Sequence, residues 1–220
     1  MSTGTPAVLV MAKEPRPGTV KTRLHPLLGP ARCAGLQAEL IRHALETVAS
    51  LGLRTYLAYT TGDGPAAARD PAPPAVRMLT QRGGDLGRRL AAATGEAFAD
   101  GAGPLLVIGT DAPTLTGDLL AAALTALDGR DVVLGPALDG GYYLIGTHAP
   151  HPRLFGLDPA WWSTDKVLAA TLALAAGQGL RTELLSPLRD LDTPGDAAAL
   201  LRDPLLPPRI AALLRPEENT

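Results

Sequence analysis

The stretch Val8-Leu9-Val10-Met11-Ala12-Lys13-Glu14-Pro15-Arg16-Pro17-Gly18-Thr19-Val20-Lys21-Thr22-Arg23-Leu24 decides the fold. A short apolar run stops abruptly and empties into a loop with two prolines, one glycine and the cations Lys13, Arg16, Lys21 and Arg23. Apolar runs of this length bounded by turn formers read as buried strands. The loop therefore holds four positive charges over the carboxyl end of a sheet, where open α/β sheets bind ligands. Four cations in one loop repel one another unless an anion sits between them, and a phosphate chain is the anion that fits. A solvated basic loop is the competing reading. Lysine usage favours phosphate: of 20 Lys and Arg residues only positions 13, 21 and 166 are lysine, and two of these fall in the loop. Lysine suits a phosphate as a mobile point charge.

The totals set the frame around this stretch. A chain of 220 residues fits one domain that can bury most of its apolar surface, with a core over about 7–201 and a C-terminal extension over 202–220. The composition is globular, 46% hydrophobic and 19% charged, with a mean hydropathy of +0.11. No apolar run reaches the roughly 18 residues that suggest a membrane span. Met1 to Pro6 shows neither a basic n-region nor a cleavable apolar segment, so the expected compartment is the cytoplasm. A lone Cys33 excludes an internal disulfide and any cysteine-based zinc site. A net charge of −2 and a pI near 6.1 argue against a nucleic-acid binder, because the positive charge is local to one loop.

Further along, Ala31 to Ser50 carries Leu36, Leu40, Ile41, Leu45 and Val48 at helical spacing, with Gly52 to stop it. Arg54 to Tyr59 reads as a strand, Thr60 to Pro74 as a Pro-rich link, and Val76 to Thr80 as a short strand. Gly84 to Ala99 is helical, with Leu86, Leu90 and Ala97 facing inward. Leu105-Leu106-Val107-Ile108 is a central parallel strand, and a helix over Thr116 to Leu127 follows. Asp131 to Gly135 and Tyr142 to Gly146 are strands around Asp139-Gly140-Gly141. A helix from Thr164 to Ala176, a strand from Arg181 to Leu185 and a short helix after Pro194 complete the core, while the Pro-rich tail from Arg202 is expected to wrap the surface. This alternation predicts a three-layer α/β domain with a mostly parallel mixed sheet, without repeats or a second domain.

Asp111 directly follows the most hydrophobic strand, so its carboxylate sits at the mouth of the sheet. Helix capping competes for it, but Thr114 or Thr116 can cap instead, which frees Asp111 for a hard cation shared with substrate phosphates. In Arg189-Asp190-Leu191-Asp192-Thr193-Pro194-Gly195-Asp196, Thr193 and Pro194 suit a helix start. The alternation puts Asp190 and Asp192 on one side; Asp192 is the candidate second ligand, and Asp190 and Asp196 are read as structural. Gly83-Gly84-Asp85-Leu86-Gly87-Arg88-Arg89 opens a helix whose free N–H groups can face an anion or a base edge, or simply start a helix. Asp139-Gly140-Gly141-Tyr142 permits close backbone approach of a ligand, or makes a hairpin turn. Of Trp161 and Trp162, one is expected in the core and one as a wall of an acceptor pocket.

Together these segments resemble a bacterial family of transferases related to the 2-phospholactate guanylyltransferases and the molybdenum-cofactor nucleotidyltransferases. Its members are described as glycosyltransferase-like and associated with radical-SAM or arsenosugar pathways. The matching pieces run from Ala12-Lys13-Glu14-Pro15 with Gly18 to Leu24, through Gly84 to Arg89, Ile108 to Pro113, Gly135-Pro136 with Asp139 to Tyr142, and Trp162 to Thr164, to Asp190 to Pro194. The resemblance implies the nucleotide-diphospho-sugar transferase (GT-A) fold and a divalent metal, Mg²⁺ or Mn²⁺. It implies Asp111 and Asp192 as the metal aspartates and Lys21 as the lysine that neutralises phosphates. Ala12-Lys13-Glu14-Pro15 stands where the molybdenum-cofactor branch has a Gly-rich loop, which leaves the base unassigned.

The expected partners are a nucleotide, as an NTP or a nucleotide sugar, and a small acceptor; a homodimer is allowed, and neither nucleic acid nor membrane is expected. The lead reading is nucleotidyl transfer with release of pyrophosphate, the second glycosyl transfer from a nucleotide sugar, and the third a non-enzymatic nucleotide sensor. Lys21, Asp111 and Asp139 are the candidate catalytic residues, Asp139 as the base that glycosyl transfer needs. Ala12, Lys13, Arg16, Lys21, Arg23, Gly84, Asp85, Gly140 and Gly141 are the candidate nucleotide and phosphate contacts.

Overall fold

The computed structural model describes residues 4–60 and 76–215; the predicted Pro-rich link, Thr60 apart, and the last residues of the tail lie outside them. Seven strands form one sheet: β1 (Thr5–Lys13), β2 (Arg54–Thr60), β3 (Val76–Thr80), β4 (Ala102–Ile108), β5 (Val132–Pro136), β6 (Tyr142–Thr147) and β7 (Thr182–Leu184). Their order is β3-β2-β1-β4-β6-β5-β7. All neighbours pair parallel except β6, which runs antiparallel to both β4 and β5. That reversal follows from the turn around Asp139-Gly140-Gly141, which folds β6 back between β5 and β4.

The sheet is buried on both faces, and each strand divides its residues between them with a period of two. On β1, Val8, Val10 and Ala12 face the layer of α1 (His25–Ala49) and α3 (Gly117–Leu127), packing on Ile41, Leu45, Val48, Leu120 and Leu127. Ala7, Leu9 and Met11 face the layer of α2 (Leu86–Ala99) and α4 (Val167–Gly177), against Leu90, Ala93, Ala97 and Ala175. This is the predicted three-layer α/β sandwich.

Two elements differ from the sequence reading. α1 begins at His25, but Gly29 at φ 73°, ψ 162° with Pro30 behind it breaks the helix, so the regular part starts beside the predicted Ala31. The tail carries α6 (Pro208–Leu214), whose Ile210 and Leu214 are buried with Leu206. They pack on Leu28, Cys33 and Leu36 of α1 and on Ala197 and Leu200 of α5 (Pro194–Leu200). The spacing of Leu206, Ile210 and Leu214 is helical, so this segment completes a third apolar cluster where a surface wrap was expected.

β1 leads through α1 to β2 on one side of it, and the chain later returns to β4 on the other side. The carboxyl ends of β1 and β4 therefore flank the point where the winding reverses, which is where open α/β sheets leave a ligand crevice.

Candidate active site

A cavity of ≈ 440 Å³ opens at that point. Met11, Ala12 and Lys13 from β1, Ile108 at the end of β4 with Gly109 to Ala112 after it, the loop residues Lys21 and Arg23, and Asp139, Asp190 and Asp192 all line it. Thr116 caps α3, its hydroxyl accepting the Leu119 N–H at 3.3 Å, so Asp111 is free of capping as expected.

The two late aspartates are placed by backbone pairing. Leu188 bridges to Ala137 beyond the end of β5, and the Leu191 N–H donates to the Asp111 carbonyl at 2.7 Å. Leu191 is fully buried among the α1, α5 and α6 side chains, which turns its neighbours Asp190 and Asp192 to the cavity. A capping box in which Thr193 and Asp196 satisfy each other's backbone N–H groups starts α5 immediately afterwards. Asp196 is thereby structural, as read from the sequence. Asp190, also read as structural, lines the cavity, and its Oδ1 is buried with no hydrogen-bond partner among the described residues. Burial, then the charges of Asp111, Asp139 and Asp192, push its carboxyl up to about 8. The Asp-Leu-Asp alternation carried the signal, because it sends both carboxylates the same way.

The cationic loop is partly closed on itself. Arg16 bonds Glu14 at 3.1 Å, so it is drawn back along its own loop and away from the cavity wall. Lys21 reaches inward instead. Its Nζ donates to Asp111 Oδ1 at 2.6 Å, to the Leu191 carbonyl at 2.7 Å and to Asp192 Oδ1 at 3.1 Å. The expected phosphate lysine thus sits on the expected metal aspartates. Lys13 and Arg23 are exposed, line the cavity and make no ion pair among the described residues.

Three further candidates stay off the cavity wall. Asp85 caps α2, accepting the Arg88 N–H at 2.8 Å, and Gly84 lies just outside this cap. It is Leu86, 39% exposed where an inward position was expected, Arg89 and Leu90 that reach the wall from this helix. Gly140 serves the turn: its carbonyl accepts the Leu168 N–H at 2.9 Å, and Gly141 lines the cavity in its place. Asp139 does line it, with Oδ1 accepting the Gly141 N–H at 2.9 Å, so hairpin turn and cavity wall are one structure. Trp162 walls the cavity and packs on the α2 side of the core, while Trp161 is exposed. Gln81, Gln37 and Thr110 line it unforeseen; Gln81 spans the carbonyls of Ala12 and Ala58, fixing the ends of β1 and β2.

A family model described as an uncharacterized protein conserved in bacteria (DUF2064) matches residues 40–164, more than half of the chain. The chain belongs to the DUF2064 family. No curated protein matches this DUF2064 chain. Among solved structures, a protein from Desulfovibrio desulfuricans G20, provisionally named a nucleotide-diphospho-sugar transferase, is 32% identical with a TM-score of 0.87. The match covers 96% of this chain and 94% of that one. CMP:2-keto-3-deoxy-manno-octonic acid synthetase complexed with CTP matches with a TM-score of 0.53 at 13% identity, over 89% of this chain and 97% of that one. Rv0371c of Mycobacterium tuberculosis H37Rv complexed with manganese matches with a TM-score of 0.52 at 18% identity, over 90% and 100%. These likenesses establish the nucleotide-diphospho-sugar transferase fold for the DUF2064 chain. No helix among its described residues is long and apolar enough to cross a membrane.

Proposed function

We propose that the protein is a transferase that moves a nucleotidyl group from an NTP to an ionised small-molecule acceptor and releases pyrophosphate. The observation that carries this is the charge layout of the cavity wall: the carboxylates Asp111 and Asp192 with the buried carboxyl of Asp190, and the exposed cations Lys13 and Arg23, which make no ion pair among the described residues. In such a transfer an acceptor oxygen bonds the α-phosphorus, the bond from that phosphorus to the bridging oxygen breaks, and the electron pair leaves with pyrophosphate. The work is positioning and charge neutralisation. Lys13 and Arg23 are the groups to hold the leaving phosphates, and an ionised acceptor needs no base.

The donor set suits Mg²⁺ or Mn²⁺. No three His, Cys, Asp or Glu side chains among the described residues form a preformed metal cage. Mg²⁺, however, is ordinarily held by one or two carboxylates plus substrate phosphates, and here the ammonium of Lys21 already lies between two carboxylates of the cavity wall. Asp111 and Asp192 would hold the ion, which when bound would neutralise phosphate charge.

Glycosyl transfer from a nucleotide sugar, with an arsenosugar-type or other hydroxyl acceptor, is the second reading, favoured by the carboxylate of Asp139 in the cavity wall. Coupled assays separate the two: pyrophosphate release from ATP, GTP, CTP and UTP with phosphorylated acids and sugars, and UDP or GDP release from nucleotide sugars with hydroxyl acceptors. Acceptor-dependent diphosphate release without pyrophosphate would overturn the first reading. Asp139→Asn should be nearly silent with an ionised acceptor and cost about 10²–10⁴-fold where a hydroxyl must be deprotonated.

A further inference from the structure

Lys21 is held more completely than a substrate-binding lysine needs to be. Its side chain is only 4% exposed, and an ammonium has three N–H donors. All three are spent on Asp111, Asp192 and the Leu191 carbonyl, so none is left for a phosphate. Burial alone pulls its pKa down, but the charge and hydrogen bonds of the two carboxylates more than offset that, and the group stays a cation. The backbone serves the same end: Lys21 adopts φ 50°, ψ 40°, a left-handed conformation that few residues with a Cβ take.

We propose that Lys21 and a divalent cation are alternative occupants of the Asp111–Asp192 pair, so that a metal binds only as Lys21 leaves it. This rests on the metal-dependent reading above and names the device that controls that site. Two cations on the same carboxylate oxygens repel strongly at protein dielectric, and Lys21 Nζ already bonds one oxygen of each aspartate. A released Lys21 regains its donors for the phosphates of an incoming nucleotide, so metal and triphosphate support each other's binding. Without them, the lysine's single positive charge offsets one of the two carboxylate charges and keeps its loop in place.

The chain's three lysines make the exchange readable in the wild-type protein. Reductive methylation followed by peptide mass spectrometry should modify the exposed Lys13 and Lys166 under all conditions. Lys21 should be protected in metal-free protein and react at least tenfold faster in saturating Mn²⁺. In parallel, Mn²⁺ binding followed by electron paramagnetic resonance should be at least tenfold tighter for Lys21→Met than for wild type, and Asp111→Asn should weaken it in both backgrounds. Lys21 that stays protected at Mn²⁺ saturation overturns the proposal, whether or not the Met variant folds. Equal Mn²⁺ affinity of wild type and Lys21→Met, with weakening by Asp111→Asn, also overturns it while leaving the metal site standing. Absence of Mn²⁺ binding to both proteins overturns the metal-dependent reading together with the exchange.

Discussion

Gly140→Ala tests whether the Asp139-Gly140-Gly141 turn is a rigid wall of the cavity. Gly140 has φ +90°, and a Cβ built on it would lie 2.5 Å from both the Cα and the carbonyl oxygen of Asp165. Those are backbone atoms, so no side-chain rotation can relieve the clash. Holding an alanine in this conformation costs about 1–3 kcal/mol, and overpacking adds about 1–3 kcal/mol. The lower entropy of the unfolded chain returns roughly 0.4–1 kcal/mol. The net is a loss of about 2–5 kcal/mol, which for a chain of this size lowers the melting midpoint by about 4–20 °C at roughly 2–4 °C per kcal/mol. Gly141→Ala is the matched control: its Cβ would meet only the Asp139 carboxylate, with Oδ1 at 3.1 Å, and it lacks the positive φ. Differential scanning calorimetry of the two variants decides the matter. A Gly140→Ala protein that melts with the wild type, or below which Gly141→Ala falls, would refute the reasoning.

Ile210→Ala should destabilise by about 2–5 kcal/mol in chemical denaturation, as for a large-to-small change in a core, because Ile210 is fully buried under α1; a tail lying on the surface would show almost nothing. Arg23→Ala should weaken triphosphate binding by about tenfold or more, while Arg16→Ala should leave it nearly unchanged, because Arg16 is already closed on Glu14; isothermal titration with non-hydrolysable NTP analogues measures both. Asp196 is held below the ordinary carboxylate value of 3.8: burial raises its pKa, but its bonds to Thr193 and Arg189 more than offset this. Its stabilisation is therefore present above pH 3.8 and lost as pH falls through the lower folded value. Asp196→Asn should flatten that acid limb of the melting profile and cost about 1 kcal/mol of capping at neutral pH.

The layers were legible because the strands are apolar on both faces and the helices on one. Val8 to Val10 and Leu105 to Ile108 have nowhere to go but a two-sided core. The antiparallel β6 was legible as a hairpin but not as an insertion between β4 and β5, since pairing order is a long-range property. In the cavity wall, the position of Asp111 was readable from the strand end it follows and that of Asp192 from the Asp-Leu-Asp alternation. The role of Asp190 was obscured because the Thr193-Pro194 helix start gave its segment a sufficient structural reason.

The cationic loop is where composition and structure part most. Four positive charges in the loop count equally in a sequence, but their partners lie at very different distances along it. Arg16 is answered two residues away by Glu14, a pairing the sequence does display. Lys21 is answered from 90 and 171 residues away, by two aspartates that periodicity cannot join to it. The electrostatic case for a pyrophosphate leaving group then depends on how many of the four can turn to a polyphosphate. With Lys21 fixed on the aspartates, Lys13 and Arg23 remain, a number that a nucleoside diphosphate would also satisfy. If Lys21 is exchanged for a divalent ion as proposed, three cations and the metal would be available to the phosphates, which is the charge that a compact pyrophosphate requires. The exchange at Asp111 and Asp192 and the choice of leaving group are therefore one question, and the reactivity of a single lysine bears on both.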